Sequence, residues 1–433
     1  MNVQKTNNTN EKARQLQRKL YLVAKANSKR RFHAMYDKIY RIDILTEAWK
    51  RVKANGGAGG IDNISIKDVT AYGEVKLIAE ISEVLRNNKY RPHPVRRTYI
   101  PKSDGKKRPL GIPIIRDRIV QMATKMVIEP VFEADFLDCS YGFRPKKSAK
   151  QAMDKIYDVA DKGNALWVID ADIKDYFGSI NHDKLMLLVE QRISDRRVLK
   201  LIRQWLKAGI MENGMVQQSK IGAPQGGVIS PLLSNVYLHY LDKLWTQKCS
   251  HLGTLVRYAD DFVILCKCKN QADEAMKAVL FIMDKLELTI HEDKTKLVDM
   301  YFGKQSFDFL GFNNRFKRGR TKQWKWYWRL FQVPSNKAMK KMRTNIKTVF
   351  ASPARLQLKT EDMIKLLNPK IVGMRNYYNR EFARQKLWDI DRFILKKFTK
   401  WYNRKHQRNN KLGNMMKVCE LIYELGLQKL TVS

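Results

Sequence analysis

The chain of 433 residues is 44% hydrophobic and 10% aromatic, enough for several packed cores, and it carries 83 Lys and Arg against 43 Asp and Glu, a net charge of +40. An excess of that size is the electrostatic footprint of a polyanion binder, with nucleic acid as the leading partner. No apolar run is long enough to span a bilayer, the polar start Met1-Asn2-Val3-Gln4-Lys5 is no signal peptide, and five cysteines without paired spacing suggest neither a disulfide framework nor a zinc site, so a reduced, cytoplasmic compartment without membrane contact is expected.

The first dozen residues are rich in Asn and Thr. Ala13 to Ala54 is basic and helix-compatible, with Arg18, Lys19, Lys25, Lys29, Arg30 and Arg31 clustered as a solvated face or an RNA-contacting arm. Gly56 to Gly60 breaks that pattern. From Lys89 to Pro113 the chain reads as extended strands joined at Asp104-Gly105, which gathers Lys102, Lys106, Lys107 and Arg108 at the end of a ribbon. Four cations there either clamp a triphosphate or a nucleic-acid backbone, or protect a sheet edge. Ile119, Met122, Ala123, Met126 and Val127 then keep helical spacing, and Pro130 is expected to end the helix.

Trp167 to Phe177 runs from an apolar strand into acids and then aromatics, and Asp170 and Asp172, two apart, are expected on one side of the strand. Asn181-His182-Asp183 caps a helix, and Val198, Leu201, Ile202 and Trp205 mark the face of another before the turn at Glu212-Asn213-Gly214. In the run from Gly222 to Leu233, Ser230 is the expected N-cap and Pro231 the first helical residue, while the glycines admit close backbone approach over Gln225. Leu255 to Leu265 sets Asp260 and Asp261 between two short apolar runs, at the turn of a hairpin. Such a pair either binds a hard divalent cation such as Mg²⁺ or forms a solvated turn. Together these elements predict an α+β sheet covered on one face.

Between Phe309 and Thr360 there are 14 Lys or Arg and no Asp or Glu. Trp324-Lys325-Trp326-Tyr327-Trp328-Arg329 alternates at strand period, as stacking and phosphate contacts or as the core of a hairpin. From Ser335 the reading is helical, with Met339, Met342, Ile346 and Val349 on one face and Leu387, Ile390, Ile394, Phe398 and Trp401 on a later one.

Six blocks now stand in order: Arg108 to Pro113, Cys139 to Pro145, Asp172 to Phe177, Pro224 to Gly227, Tyr258 to Asp261, and Phe309 to Phe312. In this order and spacing the chain resembles the group II intron-encoded reverse transcriptases, also called maturases. Leu367-Asn368-Pro369 and Arg375-Asn376-Tyr377-Tyr378 extend the likeness into the thumb or X region. The resemblance implies an α+β right-hand polymerase, with fingers and palm on antiparallel sheet, followed by an all-helical thumb/X domain. It divides the chain into a basic N-terminal extension (1–55), fingers (56–165), palm (166–315, with a helical connection at 185–222), thumb/X (316–405) and a short basic tail (406–433).

It also implies the chemistry. Asp172, Asp260 and Asp261 would be the acidic triad, with Asp172, the Ile173 carbonyl and Asp260 as ligands of two Mg²⁺ ions, Mn²⁺ being the alternative, and Asp261 in support. Ions of that kind lower the pKa of a primer 3′-hydroxyl and stabilise the leaving pyrophosphate. Lys102 and Arg108 would hold the triphosphate, Gln225 would lie under the nascent base pair, Lys294 matches a further palm block, and Phe177 would be the steric gate that favours dNTP, with a core Phe as the other reading. The implied partners are an RNA template, intron RNA, a DNA primer or target and dNTPs, in a cytoplasmic ribonucleoprotein. Many family members carry an HNH endonuclease with paired cysteines, and with only Cys419 beyond the palm none is expected here. The implied function is RNA-directed DNA synthesis joined to intron splicing. The alternatives are a domesticated enzyme of phage defence or CRISPR spacer acquisition, or a splicing cofactor that only binds RNA.

Overall fold

In a computed structural model the described residues are 9–101, 107–212, 215–217, 222, 226–320, 326–410 and 412–431. The chain forms two compact units, the first from Met1–Ser148, Ala171–Ile264 and Asp273–Lys296, the second from Ala149–Asp170, Leu265–Ala272 and Leu297–Ser433.

In the first unit the helix Ile115–Glu133 is buried along most of its length, and the helices Thr9–Ala26 and Ile42–Asn55 pack against it. The helix runs through Pro130 instead of ending there. Proline has no N–H for the carbonyl four residues back, which is that of Met126. The side-chain amide of Gln17, on Thr9–Ala26, donates to that carbonyl at 3.0 Å. The orphaned acceptor is thus satisfied from outside, and the N-terminal segment belongs to the packed body of the unit.

Strand β1 (Val95–Pro101) pairs antiparallel with β2 (Lys107–Ile112), from Arg96 opposite Ile112 to Pro101 opposite Lys107. Strand β3 (Trp167–Ala171) carries the buried Val168 and Ile169 and ends at Ala171. Asp172 follows the last residue of the strand. Strand β4 (Ile210–Glu212) adds parallel to β1, and β5 (Met215–Gln217) antiparallel to β4, for a sheet ordered β2-β1-β4-β5. Strands β6 (Thr254–Tyr258) and β7 (Asp261–Cys266) are hydrogen-bonded neighbours joined by two residues, the connection of an antiparallel hairpin.

In the second unit β8 (Lys296–Asp299) precedes a sheet of β9 (Phe307–Phe309), β10 (Phe312–Arg320) and β11 (Trp326–Pro334). A helical domain starting at residue 316 would cut β10 in two; the helices begin at Asn336. Their core holds Met339, Met342, Ile346, Leu367, Ile371, Leu387, Ile390, Ile394, Phe398 and Trp401. The segment expected as a short tail contributes the helix Met415–Glu424, with Val418 and Ile422 in that core. Asp391 anchors the end beyond it, accepting from the Leu430 and Thr431 amides at 2.9 and 3.0 Å.

Candidate active site

The Tyr258–Asp261 turn is built on a buried charge. Leu255, Val256, Phe262, Val263 and Ile264 are buried, as two apolar runs require, but Arg257 between them is 0% exposed. Its Nε donates to Asp242 Oδ1 at 2.7 Å and its Nη2 pairs with Oδ2 of the same carboxylate. Its Nη1 donates to the Ala259 carbonyl at 2.8 Å and to Asn235 Oδ1 at 3.2 Å. Burial works against the charge on Arg257, yet Asp242 outweighs it, and the guanidinium is held more firmly protonated than usual. Asn235 and Asp242 are seven residues apart on the helix Ser230–Leu244, hence on one face. Arg257 thus fastens the turn to that helix.

The turn itself is tight, with Ala259 at φ 59° in the left-handed region that residues with a Cβ avoid. Gly142 lies directly beneath it: a side chain there would run into the Ala259 amide nitrogen. The Gly142 carbonyl accepts from Asn235 Nδ2 at 2.8 Å, and the neighbouring Tyr141 amide donates to the Arg257 carbonyl at 2.8 Å. Asp260 is left half-buried and Asp261 exposed.

The segment after β3 is tied to the same helix. Ile173 bridges Ile290, the His291 amide donates to the Asp172 carbonyl at 2.8 Å, and the Lys174 amide to the Thr289 carbonyl at 2.8 Å. Tyr176 is buried, and its hydroxyl donates to the Ser234 carbonyl of Ser230–Leu244 at 2.8 Å. Burial pushes that hydroxyl's pKa far up, against the lowering effect of its Ser234 hydrogen bond and of the Arg257 charge. The carboxylate of Asp172 holds the Lys294 ammonium at 2.5 Å.

Phe177 is half-buried, its ring 5.3 Å from that of Tyr176 at 64°. It stands at the edge of the core. The carbonyl of Gly222 meets His182 Nε2 at 2.7 Å, and its amide donates to Ile180 at 2.9 Å, which brings the start of the glycine-rich run to this segment. Gly226, at φ +111°, approaches β2 so closely that a Cβ would stand 2.6 Å from the Gly111 carbonyl. The Val228 amide donates to Gln121 Oε1 at 2.9 Å. The helix then starts at Ser230 with Ile229 as its N-cap, one residue earlier than expected, and Pro231 is its second residue. Lys102 and Gln225 lie outside the described residues, and Arg108 is placed by its backbone, opposite Ile100.

The family model for reverse transcriptase (RNA-dependent DNA polymerase) matches residues 100–314, and that for the group II intron maturase-specific domain matches residues 339–419. Protein YkfC of Escherichia coli K12 is 36% identical over 343 residues, 71% of this chain and 89% of that protein. The chain belongs to the group II intron-encoded reverse transcriptases. The group II intron-encoded protein LtrA of Lactococcus lactis is 32% identical over 354 residues, 67% of this chain, and an uncharacterized 91 kDa protein in a cob intron of Schizosaccharomyces pombe is 28% identical over 422 residues. The chain spans 58% and 51% of the lengths of these two relatives.

Enzymes of this family are RNA-directed DNA polymerases with a right-hand fold, and they use divalent metal ions. Among the described residues of this reverse transcriptase no three His, Cys, Asp or Glu side chains form a metal cage. A Mg²⁺ ion in such sites is bound by one or two carboxylates and otherwise by water and substrate phosphates, so a closed protein cage is not required. The Lys294 ammonium on Asp172 is a cation in contact with one of these carboxylates, and the donor set, all hard oxygen, fits the ion.

Arg257, Asp242, Asn235, Tyr176 and Gly142 were not singled out from the sequence as parts of the site. The signal for Arg257 was available: it is a lone charge inside an apolar run, and such charges are buried only when paired.

His239, on the same helix, is packed edge-on against Phe136 at 5.5 Å, and its Nδ1 finds no partner among the described residues. Burial lowers its pKa to about 4. The unfolded chain binds this proton near the ordinary value of about 6.5, so stability is full above that value and is lost as pH falls towards 4. At pH 5 the loss should be about 2 kcal/mol. Thermal melts of His239→Phe at pH 7.5 and pH 5 should show that much less acid sensitivity than the parent, and identical pH profiles would contradict this.

Proposed function

We propose that this reverse transcriptase extends a primer on an RNA template with dNTPs, using Asp172 and Asp260 as metal ligands. The observation that carries the reading is the helix Ser230–Leu244, to which both carboxylate-bearing segments are bound, one through Tyr176 and Ser234 and the other through Arg257 and Asp242. In this reading Asp172, the Ile173 carbonyl and Asp260 hold two Mg²⁺ ions, and Asp261, the most exposed of the three acids, supports them. When bound, the ions supply charge stabilisation to the attacking and leaving oxygens of an in-line displacement. Lys294, whose ammonium now lies on the Asp172 carboxylate, would share that carboxylate with the metal ion. Lys102, Arg108 and Gln225 bind the incoming nucleotide. Residues 56–165 act as fingers, those from 166 to the end of β11 as palm, and the helices from Asn336 onward as thumb and maturase domain, which binds intron RNA and promotes its splicing.

The test is primer extension on an RNA template with dNTP and Mg²⁺. Extension that is template-directed and stopped by a chelator supports the reading, and its absence at every divalent ion tried would overturn it.

Phe177→Ala should raise rNTP incorporation by about tenfold or more relative to dNTP, because the ring no longer fills the space of a ribose 2′-hydroxyl; a loss of one close packing contact is worth about 1.4 kcal/mol. Unchanged discrimination would assign the gate to another residue. With a net charge of +40, affinity for RNA should fall by three orders of magnitude or so between 50 and 200 mM salt. A titration that barely moves over that range would remove the phosphate backbone as the main contact.

A further inference from the structure

On β10 and β11, paired residues share a face of the hairpin, and one such face runs from the core of its unit into solvent. At its base Phe312, Asn314, Phe316, Leu330 and Gln332 are buried. Towards the tip Arg318 stands opposite Trp328 and Arg320 opposite Trp326, and all four are exposed, Trp326 at 55% and Trp328 at 37%. The Arg318 guanidinium lies 3.9 Å from the centroid of the Trp326 ring and that of Arg320 lies 5.0 Å away. Phe302, 70% exposed, adds a third ring edge-on to Trp328 at 5.6 Å. It is held there by a left-handed backbone, φ 52°, that an aromatic residue avoids unless its surroundings impose it. The Gly303 carbonyl just after it is gripped by both Arg315 Nε and Nη2, at 3.2 and 3.0 Å.

Three large rings in water are an apolar patch that a polymerase has no structural need to expose. Their surroundings state what would cover them. The run from Phe309 to Thr360 contains 14 cations and no acid, so an acidic or apolar protein surface is matched only in part, whereas a polyanion with flat apolar faces is matched in full. Nucleobases stack on indole rings, and guanidiniums already lying over those rings are placed to reach the adjoining phosphates.

We propose that the exposed face of the β10–β11 hairpin is a stacking platform for an unpaired nucleic-acid strand, with bases on Trp326, Trp328 and Phe302 and phosphates on Arg318 and Arg320. A duplex hides its base faces and gains only the phosphate contacts. The proposal rests on the reading of this chain as an enzyme that works on nucleic acid, but not on its synthesis of DNA.

The test is photocross-linking of the full chain with 5-bromouridine and 5-bromodeoxyuridine strands and with the corresponding duplex, mapped by mass spectrometry. Cross-links at Trp326 or Trp328 with the single strands and not with the duplex are expected, and the RNA and DNA arms identify the strand. Trp326→Ala/Trp328→Ala should weaken single-strand binding by about tenfold or more at 150 mM salt, Trp326→Phe/Trp328→Phe by much less, and Arg318→Ala should lower the salt slope by about one. Cross-links confined to other residues, with unchanged affinity in the Ala pair, would overturn the proposal. Concentration-dependent dimers that the Ala pair abolishes, without such cross-links, would overturn it too and assign the face to a second copy. Because the cross-link needs no DNA synthesis, a wild-type chain that fails to extend a primer counts against the polymerase reading alone.

Discussion

Replacing Asp260 by Asn should slow single-turnover primer extension on an RNA template by about a thousandfold or more. The substitution keeps the shape of the side chain, half-buried at the turn, and removes its charge. Loss of an anionic metal ligand forfeits several kcal/mol of transition-state stabilisation, and about 4 kcal/mol corresponds to that factor. Asp172→Asn should be as severe. It also removes the partner of Lys294, so that its ammonium is left without the carboxylate it holds at 2.5 Å. Asp261→Asn, on the exposed side of the turn, should cost less. RNA affinity, carried by a net charge of +40, should hardly change in any of the three. Extension by Asp260→Asn within tenfold of the parent would remove Asp260 from the chemistry, whereas loss of RNA binding along with it would mean that the variant had failed to fold.

The second large effect lies out of reach of any substrate. Arg257→Met leaves Asp242 buried and uncompensated, and breaking such a pair costs about 3–5 kcal/mol. Both residues are 0% exposed, so water cannot take the place of the missing partner. Asp242→Leu should cost about as much, by stranding the guanidinium. The double variant Arg257→Met/Asp242→Leu should regain most of the stability, because two apolar side chains of similar volume can replace a buried ion pair. It should not regain primer extension. The Ala259 carbonyl and Asn235 would still lack the guanidinium that holds them at 2.8 and 3.2 Å, and Ala259 would be free to leave its strained φ of 59°. Denaturant midpoints and extension rates of the single and double variants decide this. Recovery of both together would show that the pair serves stability and nothing else.

How far the site could be read along the chain follows from the range of each interaction. The apolar runs on either side of Asp260-Asp261 demand strands, and two residues between them demand a turn, so this hairpin was legible from neighbouring residues alone. The Asn181 cap and the helical faces from Met339 to Trp401 were legible for the same reason. Pro130 misled because its consequence depends on Gln17, more than a hundred residues away, whose amide satisfies the carbonyl that proline leaves free. Trp326 and Trp328 were ambiguous because strand alternation assigns a face without saying whether that face is covered; the structure leaves both exposed.

Composition and short spacing were enough to read the charge that directs this protein to a polyanion and the order of its motifs, while the roles of the three acids came from the resemblance those motifs carry. Tertiary structure alone decided what holds the acids in place. Arg257 and Asp242 are fifteen residues apart, Tyr176 and Ser234 fifty-eight, and Asp172 and Lys294 more than a hundred. A buried charge or a buried hydroxyl must find a partner, but the chain does not say which one until the fold has excluded water from around it.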